Sequence, residues 1–181
     1  MICRDDIKAY RIPRWNELPD LELYMDQVIS VLEKNLCIFA YGENSAFITP
    51  TMINNYVKQK LVSPPRNKRY NKGHIAAFYI ITLMKQIMSI SEINTAIKTV
   101  SEKMGEEKGY DLFCDTFEAS LVLIFLQEEN KTPDFGECEE AYMIIRSTTL
   151  AFANMLYARS LLFEYLPQKQ TKKEKKEKKK Q

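Results

Sequence analysis

The chain has 181 residues, 45% of them apolar, which is enough for a packed core and too many for wholesale disorder. Five Gly and seven Pro are sparse punctuation for an all-β fold, which needs a turn roughly every 8–12 residues, so the expectation is an all-α protein. Net charge is only +2, apolar runs such as Leu121–Leu126 fall far short of a membrane span, and the start Met1-Ile2-Cys3-Arg4-Asp5-Asp6 has charges where a signal peptide is apolar, so the expected location is cytoplasmic, with no membrane partner.

In chain order, residues 1–17 read as extended, with Pro13 against any helix. Pro19 fits a first helical turn, and Asp20, Glu22 and Asp26 suit its positive end. Leu21, Met25, Val28, Ile29, Leu32 and Leu36 follow at helical spacing, and Gly42 stops this first helix. Thr49-Pro50, a hydroxyl cap followed by Pro, opens a second helix through Met52, Ile53 and Tyr56 to about Lys60, and Pro64-Pro65 prevents its continuation. Arg66-Asn67-Lys68-Arg69-Tyr70 reads as an extended loop or tiny hairpin. Asn71 caps a third helix running to about Met88, and Ser89-Ile90-Ser91-Glu92 is a capping box for a fourth running to about Met104. Gly105 and Gly109 frame a charged linker. A fifth helix covers about Tyr110–Glu128, Thr132-Pro133-Asp134 is a turn, and a sixth helix runs from about Gly136 to Leu166. The Lys-rich end has nothing to bury and is expected to be disordered.

The charge is unevenly distributed. Residues 169–180 hold eight Lys and two Glu. Residues 44–91 contain no Asp or Glu but seven basic residues, while the rest of the body, 1–43 and 92–168, has 11 basic against 22 acidic. A basic segment set in an acidic body has the form of a polyanion-binding surface. The same sequence offers no catalytic constellation. Cys3, Cys37, Cys114 and Cys138 form no CxxC pair and His74 is the lone histidine, so no metal site and no cofactor is expected. There is no Gly-rich phosphate loop, and the chain reads as a non-enzyme.

The stretch Ile53–Ile93 resembles the DNA-binding head of MerR-type regulators. There a helix ends in Tyr, a Leu-x-x-Pro-x-Arg run enters a basic wing, the wing closes on Arg and Tyr, and a Phe-Ser-Leu-x-Glu-Ile signature opens a later helix. The counterparts are Ile53-Asn54-Asn55-Tyr56, Leu61-Val62-Ser63-Pro64-Pro65-Arg66, Arg69-Tyr70 and Met88-Ser89-Ile90-Ser91-Glu92-Ile93. The wing is about three residues shorter, and Lys60 stands where that family has Gly. From Arg14-Trp15-Asn16-Glu17-Leu18-Pro19 through Ile48-Thr49-Pro50-Thr51-Met52 to Val57, the sequence also resembles the bacterial domain of unknown function 1836 family. Together the resemblances imply a MerR-like winged helix-turn-helix head and a role in transcription regulation.

The expected organisation is an N-terminal segment (1–19), a DNA-binding head (20–104), a C-terminal dimerisation or regulatory region of two helices (105–166) and a tail (167–181). On the second helix Thr51, Asn54, Asn55 and Lys58 point off the apolar face, and Asn can pair bidentately with adenine in a major groove. Arg66, Lys68 and Arg69 can reach phosphates or a minor groove of double-stranded DNA. On the sixth helix Ala141, Thr148, Ala151, Met155, Ala158 and Leu162 form a stripe of largely small residues. It is either internal core or a homodimer interface, and Phe113, Phe117, Tyr142 and Phe152 are candidates to line a pocket for an unidentified small-molecule effector. The alternative to a regulator is a helical protein–protein adaptor that has lost DNA binding.

Overall fold

The computed structural model describes residues 4–39, 47–128 and 133–165. The expected helix stop at Gly42 and the Lys-rich tail lie outside them. Among the described residues there are seven α-helices, α1 (Arg4–Ala9), α2 (Met25–Leu36), α3 (Pro50–Lys58), α4 (Lys72–Met84), α5 (Ile90–Met104), α6 (Glu106–Leu126) and α7 (Glu139–Leu162), and one antiparallel pair of two-residue strands, β1 (Leu23–Tyr24) and β2 (Arg69–Tyr70). None of these helices is long and apolar enough to cross a membrane. The architecture is mainly α.

The N-terminal segment departs from the extended reading. Asp5 and Asp6 at its start and Lys8 at its end match the helix dipole, and Ile7 gives α1 a buried anchor. Beyond it the chain runs extended to Arg14, makes one 3-10 turn at Trp15–Glu17, and is strapped to α6 by a row of acids. Asp111, Asp115 and Glu118 recur at i, i+4 and i+7, which places them on one helix face. Asp111 accepts the Trp15 amide at 2.7 Å. Glu118 accepts the Ile12 amide at 2.9 Å and the Arg14 guanidinium at 2.8 and 3.0 Å, and Asp115 takes Arg14 again at 2.7 Å. The Pro13 carbonyl accepts the Tyr110 hydroxyl at 2.9 Å.

The helix expected from Pro19 starts six residues later. Leu21, assigned to its buried face, is 79% exposed, because residues 23–24 stay extended to pair Leu23 with Tyr70 and Tyr24 with Arg69. From Met25 the periodicity holds: Val28, Leu32 and Leu36 are all buried. Downstream, the local caps occur as expected. Thr49 Oγ1 accepts the Met52 amide, Asn71 Oδ1 the His74 amide and Ser89 Oγ the Glu92 amide, while Glu92 Oε2 accepts back from Ser89 N at 2.8 Å. The Ser89 hydrogen bonds hold the Glu92 carboxyl below its ordinary range.

The charged linker expected between Gly105 and Gly109 is absent. Gly105 alone, at φ +84° and ψ 163°, turns the chain from α5 into α6, a conformation close to Gly-only, and helix resumes at Glu106. Gly109 lies inside α6, where a Cβ would meet Val100 Cγ1 at 2.8 Å, so it is there for close packing of α5 on α6. The regions on either side of Gly105 share one core. Phe39, following α2, packs edge-on against Tyr10, against Phe117 of α6 and against Phe152 of α7, with centroids 4.9–5.7 Å apart. Buried Ser120 and Thr149 join α6 to α7 through their hydroxyls at 2.9 Å.

Glu118→Ala removes the acceptor shared by Ile12 and Arg14 and leaves a half-buried guanidinium with Asp115 as its one carboxylate, besides the Ile12 carbonyl. Stability in urea denaturation is expected to fall by about 2 kcal/mol, with protease cleavage appearing first within residues 10–18.

Candidate nucleic-acid interface

The basic segment folds into two exposed features carried on one buried ring. Tyr56 of α3 and Tyr70 of β2 both pack on Phe78 of α4, with centroids at 6.4 and 5.6 Å. That common support fixes where α3 and the turn before β2 stand. Ile53 and Tyr56 face inward, so Thr51, Asn54, Asn55 and Lys58, at i, i+3, i+4 and i+7, are all exposed on the opposite face.

The helix ends in a Schellman motif. The Leu61 amide donates to the Tyr56 carbonyl and the Lys60 amide to the Val57 carbonyl, both at 3.0 Å, with Lys60 left-handed at φ 59°. Leu61 and Val62 are buried, and His74 holds the next residue in place: its Nε2 lies 2.9 Å from the Ser63 carbonyl and its Nδ1 2.6 Å from Asn71 Oδ1. His74 therefore serves as a strut between α4 and the segment leaving α3.

The expected tiny hairpin is present. The Arg69 amide donates to the Arg66 carbonyl at 2.9 Å across Asn67 and Lys68, whose φ values of 50° and 62° are those of a type I′ turn. Its strand partner beyond the turn, β1, is one the sequence reading missed, since two residues carry no periodicity.

Not every basic residue of 44–91 belongs to this surface. Lys72 is paired with Asp20. Lys85 turns inward, its ammonium donating to the Phe47 carbonyl at 3.2 Å, and burial pushes its pKa down. Lys58, Lys60, Arg66 and Lys68 are exposed, with no ion pair to a described residue. Arg69 is also exposed, but it is held over the Tyr24 ring at 4.9 Å and donates to the Tyr24 hydroxyl at 3.0 Å. Lys60 and Tyr24 join the surface although neither was a sequence candidate. Lys60 could have been found as a lysine at the helix-end position usually given to Gly.

The α7 stripe divides. Ala141 is fully buried and is a core residue, because the start of α7 lies against the rest of the bundle, and Met155 is half-buried. Ala151, Ala158 and Leu162 are exposed, in line with exposed Met143, Leu161 and Tyr165. The four aromatic candidates do not line one cavity together. Phe117 and Phe152 are packed into the core, Tyr142 stacks on Phe135 at 4.5 Å, and Phe113 borders a cavity that lies among α4, α5, α6 and α7.

No curated protein and no solved structure matches the chain. A family model does: residues 13–117, from the strap through α2–α5 to the middle of α6, match the domain of unknown function DUF1836. That span holds α3, the turn and their support on α4, and it is more than half of the sequence, so the chain belongs to the DUF1836 family.

Proposed function

We propose that this protein is a non-enzymatic transcription regulator that binds duplex DNA as a homodimer. In this reading α2 and α3 form a MerR-like helix-turn-helix. Thr51, Asn54, Asn55 and Lys58 read base edges, and the Arg66–Arg69 turn is a short wing on the phosphates.

The observation that carries the reading is where lysine is placed. Lys60 and Lys68 both occupy left-handed conformations, at φ 59° and 62°. Glycine adopts these without penalty, whereas an L side chain costs roughly 1–2 kcal/mol. At both points the chain carries a positive charge in place of the cheaper residue, and at both the lysine is exposed, within the stretch 44–91 that contains no Asp or Glu. Strain held in this way points to a function outside the fold.

Lys60→Gly and Lys68→Gly are each expected to stabilise the protein by about 1 kcal/mol while weakening binding to all duplex sequences. Each should reduce the slope of log K against log salt by about 0.9. More stable variants that bind with an unchanged slope would dissociate these lysines from DNA.

Asn54→Ala and Asn55→Ala test base reading. Each is expected to cost about 1–3 kcal/mol on a site selected from a random DNA pool and little on random duplex. If the pool yields no enriched site, the adaptor reading replaces this one.

The dimer rests on the exposed part of α7. Single DNA-binding modules bury only about 600–1,000 Å², so useful specificity takes two half-sites. Exposed Ala151 and Ala158 allow close approach of a second helix, and Leu161 and Leu162, each 56% exposed, supply apolar area. Ala151→Glu should shift the sedimenting mass from dimer to monomer with the helical circular-dichroism signal retained. A wild type that sediments as a monomer at tens of micromolar would remove dimerisation.

A further inference from the structure

We propose that the cavity among α4, α5, α6 and α7 is a binding site for a small organic cation, an amine on an aromatic or aliphatic body. The inference stands on the cavity alone and does not require the DNA reading.

The cavity holds about 330 Å³, within the range of roughly 300–1,000 Å³ usual for small-molecule sites. Its body is apolar, formed by Ala77, Ile80, Met84, Ile93, Ile97 and Phe113. Ser101, Tyr110 and Thr148 add scattered polar groups, and four more, Ser63, Asn71, His74 and Glu106, gather beside Trp15 at one rim, where the starts of α4 and α6 meet. The lining contains no Lys, Arg or Asp, and Glu106 is its one carboxylate.

Three features of that rim select the charge of an occupant. First, Glu106 makes no hydrogen bond or ion pair with a described residue, and the nearby cation of α4, Lys72, is committed to Asp20. Second, Gly73 leaves the carboxylate room. A Cβ there would lie 3.0 Å from Glu106 Oε2 and 3.9 Å from the Trp15 ring, so the carboxylate and the indole flank the same gap. A cation in that gap gains a charge-assisted hydrogen bond and lies against the indole ring. Third, the positive opening turn of α4, which would otherwise attract an anion, already faces the Glu106 carboxylate, and it is that carboxylate which repels a second negative charge. His74 does not compete for the ligand, because Ser63 and Asn71 occupy both its ring nitrogens.

The test uses the full chain and three probes that differ only in the head group: 4-phenylbutylamine, 4-phenylbutanol and 4-phenylbutyrate. Trp15 is the one tryptophan in the sequence, so its fluorescence reports the rim, and titration calorimetry supplies an independent isotherm. The amine is expected to bind at least ten-fold more tightly than the alcohol, and the carboxylate most weakly. Glu106→Gln, a change at an exposed side chain, should bring the amine to the alcohol's affinity and leave the alcohol unchanged. Ala77→Leu, which fills the apolar body, should weaken all three. Equal affinity for amine and alcohol, an amine isotherm unaltered by Glu106→Gln, or no binding of any probe at millimolar concentration would overturn the proposal.

Discussion

Helix α4 has almost no side it can show to water. Nine of its thirteen residues are buried, including His74 and Thr82, and large side chains such as Phe78, Tyr79, Ile81 and Leu83 point in different directions around its axis. Each such side chain gains about 1.5–3 kcal/mol from full burial, so the helix has to be wrapped. The wrapping is the fold. α2 takes one side, where the Tyr79 hydroxyl meets Asn35 at 2.8 Å and the Val31 carbonyl at 3.2 Å. α3 and β2 take the Phe78 side, and α5, α6 and α7 close the rest. The site described above is therefore fixed by the core, since both of its parts sit on one buried phenyl ring.

The features legible in the sequence are those decided within four residues. The caps at Thr49, Asn71 and Ser89 were readable because a side chain meeting its own helix's first amides needs nothing else. The turn at Arg66–Arg69 was readable because prolines before it and a cap after it leave little alternative. What the sequence hid is non-local. Two residues of β1 displace the start of α2 by six positions through pairing with a strand 46 residues later. Asp111, Asp115 and Glu118 carry no local signal of their role, yet they bind a segment about a hundred residues away. Lys85 counted as surface charge until packing turned it toward the Phe47 carbonyl. Spacing leaves Ala141 either core or interface, and its burial places it in the core.

The division at Gly105 illustrates the limit of reading punctuation. Two glycines around charged residues have the composition of a linker. One of them is a sharp corner and the other a packing contact, and neither separates domains. The bundle on the far side of the corner completes the core of the near side, through Phe117 and Phe152 against Phe39. A fragment cut at residue 105 would leave the aromatic cluster half-built.

Leu61, Val62 and Ser63 run from the end of α3 toward the turn, and they are also a wall of the cavity. His74 ties that wall to α4 through the Ser63 carbonyl. The wall of the cavity and the segment that joins α3 to the turn are thus one stretch of backbone. Were an occupant of the cavity and a surface partner both to depend on where that stretch lies, thermodynamic reciprocity would make each alter the other's binding constant by the same factor and in the same direction.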